Sequence, residues 1–133
     1  RLDLYYQVSR TSSLFDINQL WKEMLDRFGQ APKETENLFN VARLRVLYKQ
    51  TSIIKVEIDE KNLVVSLDGI QPFLTIEDLF KSVGSIEHPC IIGYKYNNSG
   101  DGLLGLRFTI FNTAGAFKFL FDMVEVFSFK NKK

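Results

Sequence analysis

The sequence contains one histidine and one cysteine, the side chains best suited to acid–base or nucleophilic chemistry near neutral pH. His88 directly precedes Pro89 in a segment that we expect to be a surface loop, and no Cys, Asp or Glu cluster shares its neighbourhood. Cys90 opens an apolar strand, where a thiol packs as a small hydrophobe and stays protonated. We therefore predict no catalytic, cofactor-binding or metal-ligating residue.

A glycine-containing loop and a pair of acids are the other candidates for chemistry. Gly100, Asp101 and Gly102 lie between two predicted strands, whereas phosphate-binding loops lead into a helix whose amide groups face the anion. Glu57 and Asp59 flank a predicted turn, where charge that faces solvent is the ordinary explanation. We expect a hairpin tip and solvated acids, so this fragment is predicted not to be an enzyme.

Aromatic and basic side chains are mixed near the end of the chain, a pattern compatible with stacking on single-stranded nucleic acid. The residues concerned are Phe117, Phe119, Phe121, Phe127, Phe129, Lys118, Lys130, Lys132 and Lys133. The spacing of Phe117, Leu120, Phe121 and Val124 is also that of a helix face turned to a core. The formal net charge is only +1, which gives no broad field to attract a polyanion. We expect little direct nucleic-acid binding, and an accessory nucleic-acid-binding domain remains the alternative.

Length and composition favour a single globular domain spanning residues 1–133. A chain of 133 residues with 45% hydrophobic residues can bury a sizeable core without metal or disulfide. One cysteine suits a reducing cytoplasm, and no segment has the apolar length of a membrane span or the features of a signal peptide. Because the first residue is Arg1 and not Met, and an amphipathic pattern is already running there, we expect the chain to be excised from a longer protein.

Helical periodicity dominates the first third of the chain. Residues 1–11 predict a short helix, and Asp16 is a plausible N-cap for the next one, which Gly29 would end. Pro32, followed by two acids, is typical of the first turn of a third helix, over about 32–51. The apolar stripe predicted for the second helix consists of Ile17, Leu20, Trp21, Met24, Leu25 and Phe28.

The remainder predicts strands interspersed with helices. Residues 53–58 and 63–67 are typical of a hairpin, and 90–96 with 103–111 predict a second strand pair. Thr75 and Asp78 resemble a capping box that opens a short helix to Gly84, and a last helix begins near Thr113. We predict an α+β fold with a mostly antiparallel sheet and helices packed on one face, its helical part about 1–51 and its sheet-containing part about 52–133.

The segment Glu23 to Arg45, EMLDRFGQAPKETENLFNVARLR, carries a specific family resemblance. It contains D-R-F-G, a short link with a proline, and N-L-x-x-x-A-R-L, and it resembles the C-terminal (TRCF) domain of bacterial transcription-repair coupling factors, the Mfd proteins. The opening run of Arg1, Leu2, Leu4 and Tyr5 resembles the family's helix after the motor. The similarity is close over about residues 1–50 and fades through the sheet. Ser52 stands where glycine is common in relatives.

The resemblance implies a regulatory, autoinhibitory module of a DNA translocase in transcription-coupled nucleotide excision repair. The parent protein would bind DNA and RNA polymerase and recruit UvrA, with ATP and Mg confined to a motor outside this fragment. The resemblance further implies that this domain docks on an N-terminal UvrB-like module of the same protein and masks the surface that UvrA uses.

Three residues of the second helix are the predicted partner interface. Glu23 and Asp26 match acidic residues that precede R-F-G in the family and contact its UvrB-like module. They are three residues apart, so they neighbour each other on one helix face. Gln19 lies on the same face and extends the predicted patch. An ordinary solvated helix face is the alternative for all three.

Overall fold

The computed structural model describes residues 2–86, 91–98 and 104–129, and the side chains over 6–86 and 104–129. The chain divides into two compact units, Arg1–Leu47 and Tyr48–Lys133. His88, Cys90, the loop at 100–102 and Lys130 to Lys133 lie outside the described residues, so the expectations for them stay predictions.

The first unit consists of three helices, as predicted: α1 (Leu2–Arg10), α2 (Leu14–Phe28) and α3 (Lys33–Leu47). Their apolar faces meet in a cluster of buried residues with partly buried ones around it. The rings of Trp21 and Phe39 pack edge to face across α2 and α3, with centroids 4.9 Å apart. The buried members are Val8, Ile17, Phe39 and Ala42, surrounded by Leu20, Trp21, Leu38 and Val46.

The start of α2 differs from the prediction that Asp16 is its N-cap. Ser13 is the N-cap: its backbone is extended, and its hydroxyl accepts a hydrogen bond from the Asp16 N–H. Asp16 instead lies in the first turn, where a carboxylate is favoured by the positive end of the helix. Both residue types are good caps, and here the helix begins one turn earlier than the prediction placed it.

The end of α2 agrees with the prediction at Gly29 and departs from it at Phe28. Gly29 has a φ of 75°, which favours glycine, and its N–H donates to the Leu25 carbonyl at 2.8 Å. Phe28, predicted to belong to the buried stripe, is 67% exposed. It is the last helical residue, where α2 has passed the end of its buried face at Met24.

The third helix is shorter than predicted. Its first helical residue is Lys33, and the carbonyl of Pro32 accepts from the Glu36 N–H at 3.0 Å, so the proline immediately precedes the helix. The α-helix ends at Leu47 and not near residue 51, because Tyr48–Gln50 tighten into a 3₁₀ turn. Both the N–H and the hydroxyl of Thr51 donate to the Tyr48 carbonyl, at 3.0 and 2.8 Å.

The second unit contains a four-stranded sheet in the order β1-β2-β4-β3, with every adjacent pair antiparallel. The α+β fold class is therefore confirmed, as are the two predicted strand pairs within the described residues. The elements are β1 (Ile53–Ile58), β2 (Asn62–Leu67), α4 (Ile76–Gly84), β3 (Ile91–Asn98), β4 (Leu104–Ile110) and α5 (Thr113–Phe127).

The core of the second unit lies between α5 and one face of the sheet. The rings of Phe108 on β4 and Phe119 on α5 are 5.0 Å apart. The buried residues of α5 are Ala116, Phe119, Leu120, Met123 and Phe127. The predicted stripe was partly wrong, because Phe117, Phe121 and Val124 are only half-buried. The helix is apolar on several sides, so its spacing alone fits more than one inward face.

Several side chains of the second unit form hydrogen bonds with backbone groups outside the strand pairing. Thr75 caps α4 by accepting from the Asp78 N–H at 3.1 Å, as predicted. Ser52 is buried, and its hydroxyl donates to the Gln71 carbonyl at 2.8 Å. The Tyr48 hydroxyl donates to the Leu120 carbonyl at 3.2 Å, and burial raises the pKa of Tyr48.

We call the unit Arg1–Leu47 the helical unit. Replacing Ser13 with Ala should destabilise it by about 1 kcal/mol, because the Asp16 N–H loses the hydroxyl that accepts its hydrogen bond. The neighbouring exposed Ser12 provides the matched control, Ser12→Ala, which should change the unfolding free energy by less than about 0.5 kcal/mol. Trp21, the only tryptophan, reports unfolding of this unit by fluorescence in urea. Equal midpoints for the two variants would refute the capping assignment.

The Asp59 carboxylate in the β1–β2 turn should make the stability of the fold depend on pH. The Asp59 carboxylate accepts backbone hydrogen bonds from Lys61 and Asn62 at 2.9 and 2.7 Å, and these lower its pKa. The pKa of Asp59 is lower in the folded chain than in the unfolded chain, so ionised Asp59 stabilises the fold. This stabilisation is complete above the unfolded pKa of about 3.9 and is lost as the pH falls through the folded pKa. NMR titration of the Asp59 carboxyl carbon should give a lower midpoint in the folded chain than in urea, and coincident midpoints would contradict this.

Candidate partner-binding surface on α2

Burial of one side of α2 determines which of its residues reach solvent. Ile17 and Met24 are buried. Gln19, Glu23 and Asp26 are all exposed. Positions separated by three, four and seven residues lie on one side of an α-helix. The three residues predicted from sequence therefore share one exposed face, and their role as an interface stays a prediction.

An exposed aromatic side chain lies on the same face and was missed by the sequence reasoning. Phe15 is 70% exposed and precedes Gln19 by one helical turn. Asp16 beside it is also exposed and lies in the first turn of α2. We call Phe15, Asp16, Gln19, Glu23 and Asp26 the α2 surface. The signal in the sequence was that Phe15 is apolar yet was not part of the predicted buried stripe.

Charge on the α2 surface is mainly negative. Asp16, Glu23 and Asp26 contribute three carboxylates. The exposed Lys22, which follows Phe15 by seven residues and precedes Asp26 by four, lies on the same side and contributes one positive charge. Carboxylates in this arrangement favour a partner with Arg or Lys side chains and disfavour phosphate groups.

A shallow groove between α1 and α2 borders the α2 surface. Arg10 lines it, with its guanidinium carbon 5.1 Å from the centroid of the Tyr6 ring on the same helix and a hydrogen bond to the Tyr6 hydroxyl. Asp16 and Gln19 belong both to this groove and to the α2 surface. The lining residues are Tyr6, Gln7, Arg10, Thr11, Asp16, Gln19 and Leu20.

Arg43 holds α2 and α3 together beside the apolar cluster. Its Nε donates to Asn18 Oδ1 on α2 at 3.1 Å, and its Nη1 donates to Asn40 Oδ1 on α3 at 3.2 Å. Its guanidinium carbon also lies 5.4 Å from the Trp21 ring centroid and 5.9 Å from that of Phe39. A planar guanidinium can form these hydrogen bonds while stacking on the rings, which a lysine ammonium cannot do.

The surroundings of Arg43 change its protonation equilibrium. Desolvation by burial lowers the pKa of Arg43, and the nearby negative charge of Glu36 partly opposes this. Arg43 remains a cation at physiological pH, since an arginine pKa lies far above 7. It belongs to the A-R-L motif that carried the resemblance, but the sequence alone did not indicate its contact with α2.

Across residues 2–86, 91–98 and 104–129, no group of three or more His, Cys, Asp or Glu side chains is placed to hold a metal ion. Glu57 lies on β1 and Asp59 in the following turn, and both are exposed. Among the helices in the part of the chain that the structure describes, none is long and apolar enough to cross a membrane.

Three helices followed by an antiparallel sheet with further helices define an α+β fold that is also found in a solved structure. The crystal structure of the C-terminal domain of a transcription-repair coupling factor superposes with a TM-score of 0.61, covering 94% of this chain and 81% of that one. At 17% sequence identity this likeness concerns the fold alone.

Sequence comparison identifies the family. The TRCF domain model matches residues 1–74, more than half of the chain. The transcription-repair-coupling factor of Bacillus subtilis is 37% identical over 68 residues, and that of Haemophilus influenzae is 30% identical over 57, covering 50% and 43% of this chain. The chain belongs to the TRCF domain family. The matched segments make up only 6% and 5% of those two relatives.

Substituting Arg43 with Lys should lower the stability of the helical unit by about 1–3 kcal/mol, since the charge is kept while the hydrogen bonds to Asn18 and Asn40 and the guanidinium contact with the rings are lost. Arg45→Lys is the matched control, because Arg45 is exposed on the same helix. Urea unfolding followed by Trp21 fluorescence measures both. Indistinguishable midpoints for the two variants would show that Arg43 does not hold α2 to α3.

Proposed function

We propose that this chain is a regulatory interaction domain of a transcription-repair coupling factor, and that its α2 surface docks on the UvrB-like module of the same protein. The single observation that carries the proposal is the pair of exposed carboxylates, Glu23 and Asp26, within the segment matched by the TRCF domain model. Docking there masks the surface on which UvrA binds, so that release of this domain exposes it.

The strength of such a contact suits a reversible switch. An exposed ion pair contributes about 0.2–1 kcal/mol, so the carboxylates of the α2 surface give only a few kcal/mol together. Attachment to the same protein raises the effective concentration of the partner to about the millimolar range. A contact that is weak between separate molecules is therefore well occupied within one, and a competitor that binds the masked surface can still displace it.

In this role the chain carries out no chemistry of its own. ATP hydrolysis, with its Mg, belongs to a motor elsewhere in the parent protein, as do the contacts with DNA and RNA polymerase. The proposed site of action is the cytoplasm, where transcription is coupled to repair in bacteria. The regulatory role then depends on which face of α2 is presented, and not on any reactive group.

Reversing both charges, Glu23→Lys with Asp26→Lys in the full-length parent protein, should increase its affinity for UvrA by about tenfold or more. Like charges would face the basic partner surface, so the docked state is disfavoured. Isothermal titration with UvrA measures the affinity, and the circular dichroism of the chain alone should be unchanged because both side chains are exposed.

The matched control is Glu57→Lys with Glu60→Lys, which reverses the same amount of charge at two exposed positions that are also three residues apart. These residues lie on β1 and in the turn that follows it, and not on α2, so UvrA affinity should stay at the starting level. If the control raised UvrA affinity as much as the α2 variant, the effect would come from net charge and the proposal would fail. An α2 variant with unchanged affinity would also contradict it.

A further inference from the structure

Two phenylalanines on α2 are exposed, and only one of them lies on the acidic side. Phe15 is 70% exposed and Phe28 is 67% exposed. At 3.6 residues per turn they point about 140° apart around the helix axis. Phe15 falls on the face of Gln19 and Asp26, four and eleven residues further on, whereas Phe28 lies on another side.

The position of Phe15 is that of an interface anchor. An isolated apolar residue on a surface needs no explanation, but this one extends a surface already proposed to dock. Interfaces typically combine an aromatic side chain that fills a pocket of the partner with a surrounding rim of polar and charged groups. Phe15 and Asp26 are about 16 Å apart along the axis, so one partner surface can engage both ends of the α2 surface.

The charges around Phe15 define the chemistry of its partner. Asp16 directly follows Phe15, and Glu23 and Asp26 lie two to three turns further along. Together with the single positive charge of Lys22, these three carboxylates leave the surface net negative, so it repels the phosphates of nucleic acid and of anionic lipid and attracts Arg and Lys. The complementary occupant is a protein surface with an apolar cleft flanked by basic side chains.

We propose that Phe15 is the apolar anchor of the α2 surface and inserts into an apolar cleft of the UvrB-like module that basic residues flank. This inference rests on the proposed function and adds a residue that the family motif does not contain. The carboxylates then set the orientation of docking, while Phe15 supplies most of the affinity. Gln19 lies between them and borders the α1–α2 groove, which can receive a side chain from the partner's rim.

The test is the binding of this chain to the separately prepared UvrB-like module, measured by isothermal titration. Phe15→Ala should weaken binding by at least about tenfold, the loss expected at an aromatic hot spot. Phe28→Ala, which removes an equally exposed ring from another side of the same helix, should leave the affinity unchanged. Trp21 fluorescence and circular dichroism check that both variants keep the fold.

Comparison with Glu23→Lys/Asp26→Lys separates the two proposals. If the charge reversal weakens binding and Phe15→Ala does not, the anchor is refuted and the docking function stands. If neither change affects binding, both fail. Equal weakening by Phe15→Ala and Phe28→Ala would also overturn the anchor, because it would show a loss that is not confined to one face. If Phe15→Ala weakens binding and Phe28→Ala does not, the result supports Phe15 as the anchor.

Discussion

The packing of α2 against α3 decides which side of α2 reaches solvent, and the proposed function depends on that choice. Ile17 and Phe39 are fully buried, and Trp21 meets Phe39 edge to face. Arg43 adds hydrogen bonds to Asn18 and Asn40 on the two helices. A rotation of α2 about its axis would break these contacts together, so its acidic face is held outward by the core behind it.

The magnitudes explain how a stable fold can present a weak contact. Burying a side chain such as Ile17 or Phe39 contributes about 1.5–3 kcal/mol, whereas an exposed ion pair made by Glu23 or Asp26 contributes about 0.2–1 kcal/mol. Docking and release can therefore occur without disturbing the helical unit. If the proposed docking occurs, the backbone of the α2 surface should move little, as is common for preformed interfaces.

Local structure could be predicted from the sequence where a single signal determined it. The periodicity of α1 to α3 and the β-branched runs of β1 and β2 led to the right elements, and Thr75 was the expected cap. Where two signals competed, the prediction was wrong: Ser13 and Asp16 both suit an N-cap, and α5 has apolar residues on more than one side. The strand order depends on pairing between distant segments, as between β2 and β4, which local patterns do not encode.

The candidate surface was predictable in part. Glu23 and Asp26 came from the family resemblance, and their shared face followed from helical geometry. The contact of Arg43 with Asn18 joins residues far apart in the chain, so no local pattern indicated it. Phe15 was missed although it is an apolar residue outside the predicted stripe, because its exposure depends on packing that the local pattern does not show. Arg43 helps to hold α2 against α3, and Phe15 is the residue that we propose as the anchor for a partner.

The most direct test of the outward-facing α2 surface is an NMR titration of the ¹⁵N-labelled chain with the UvrB-like module, followed by addition of UvrA. We expect amide shifts to change along α2 around Phe15, Gln19, Glu23 and Asp26, and to return towards their free values when UvrA competes. Shift changes confined to residues 48–133, or unaffected by UvrA, would contradict this expectation.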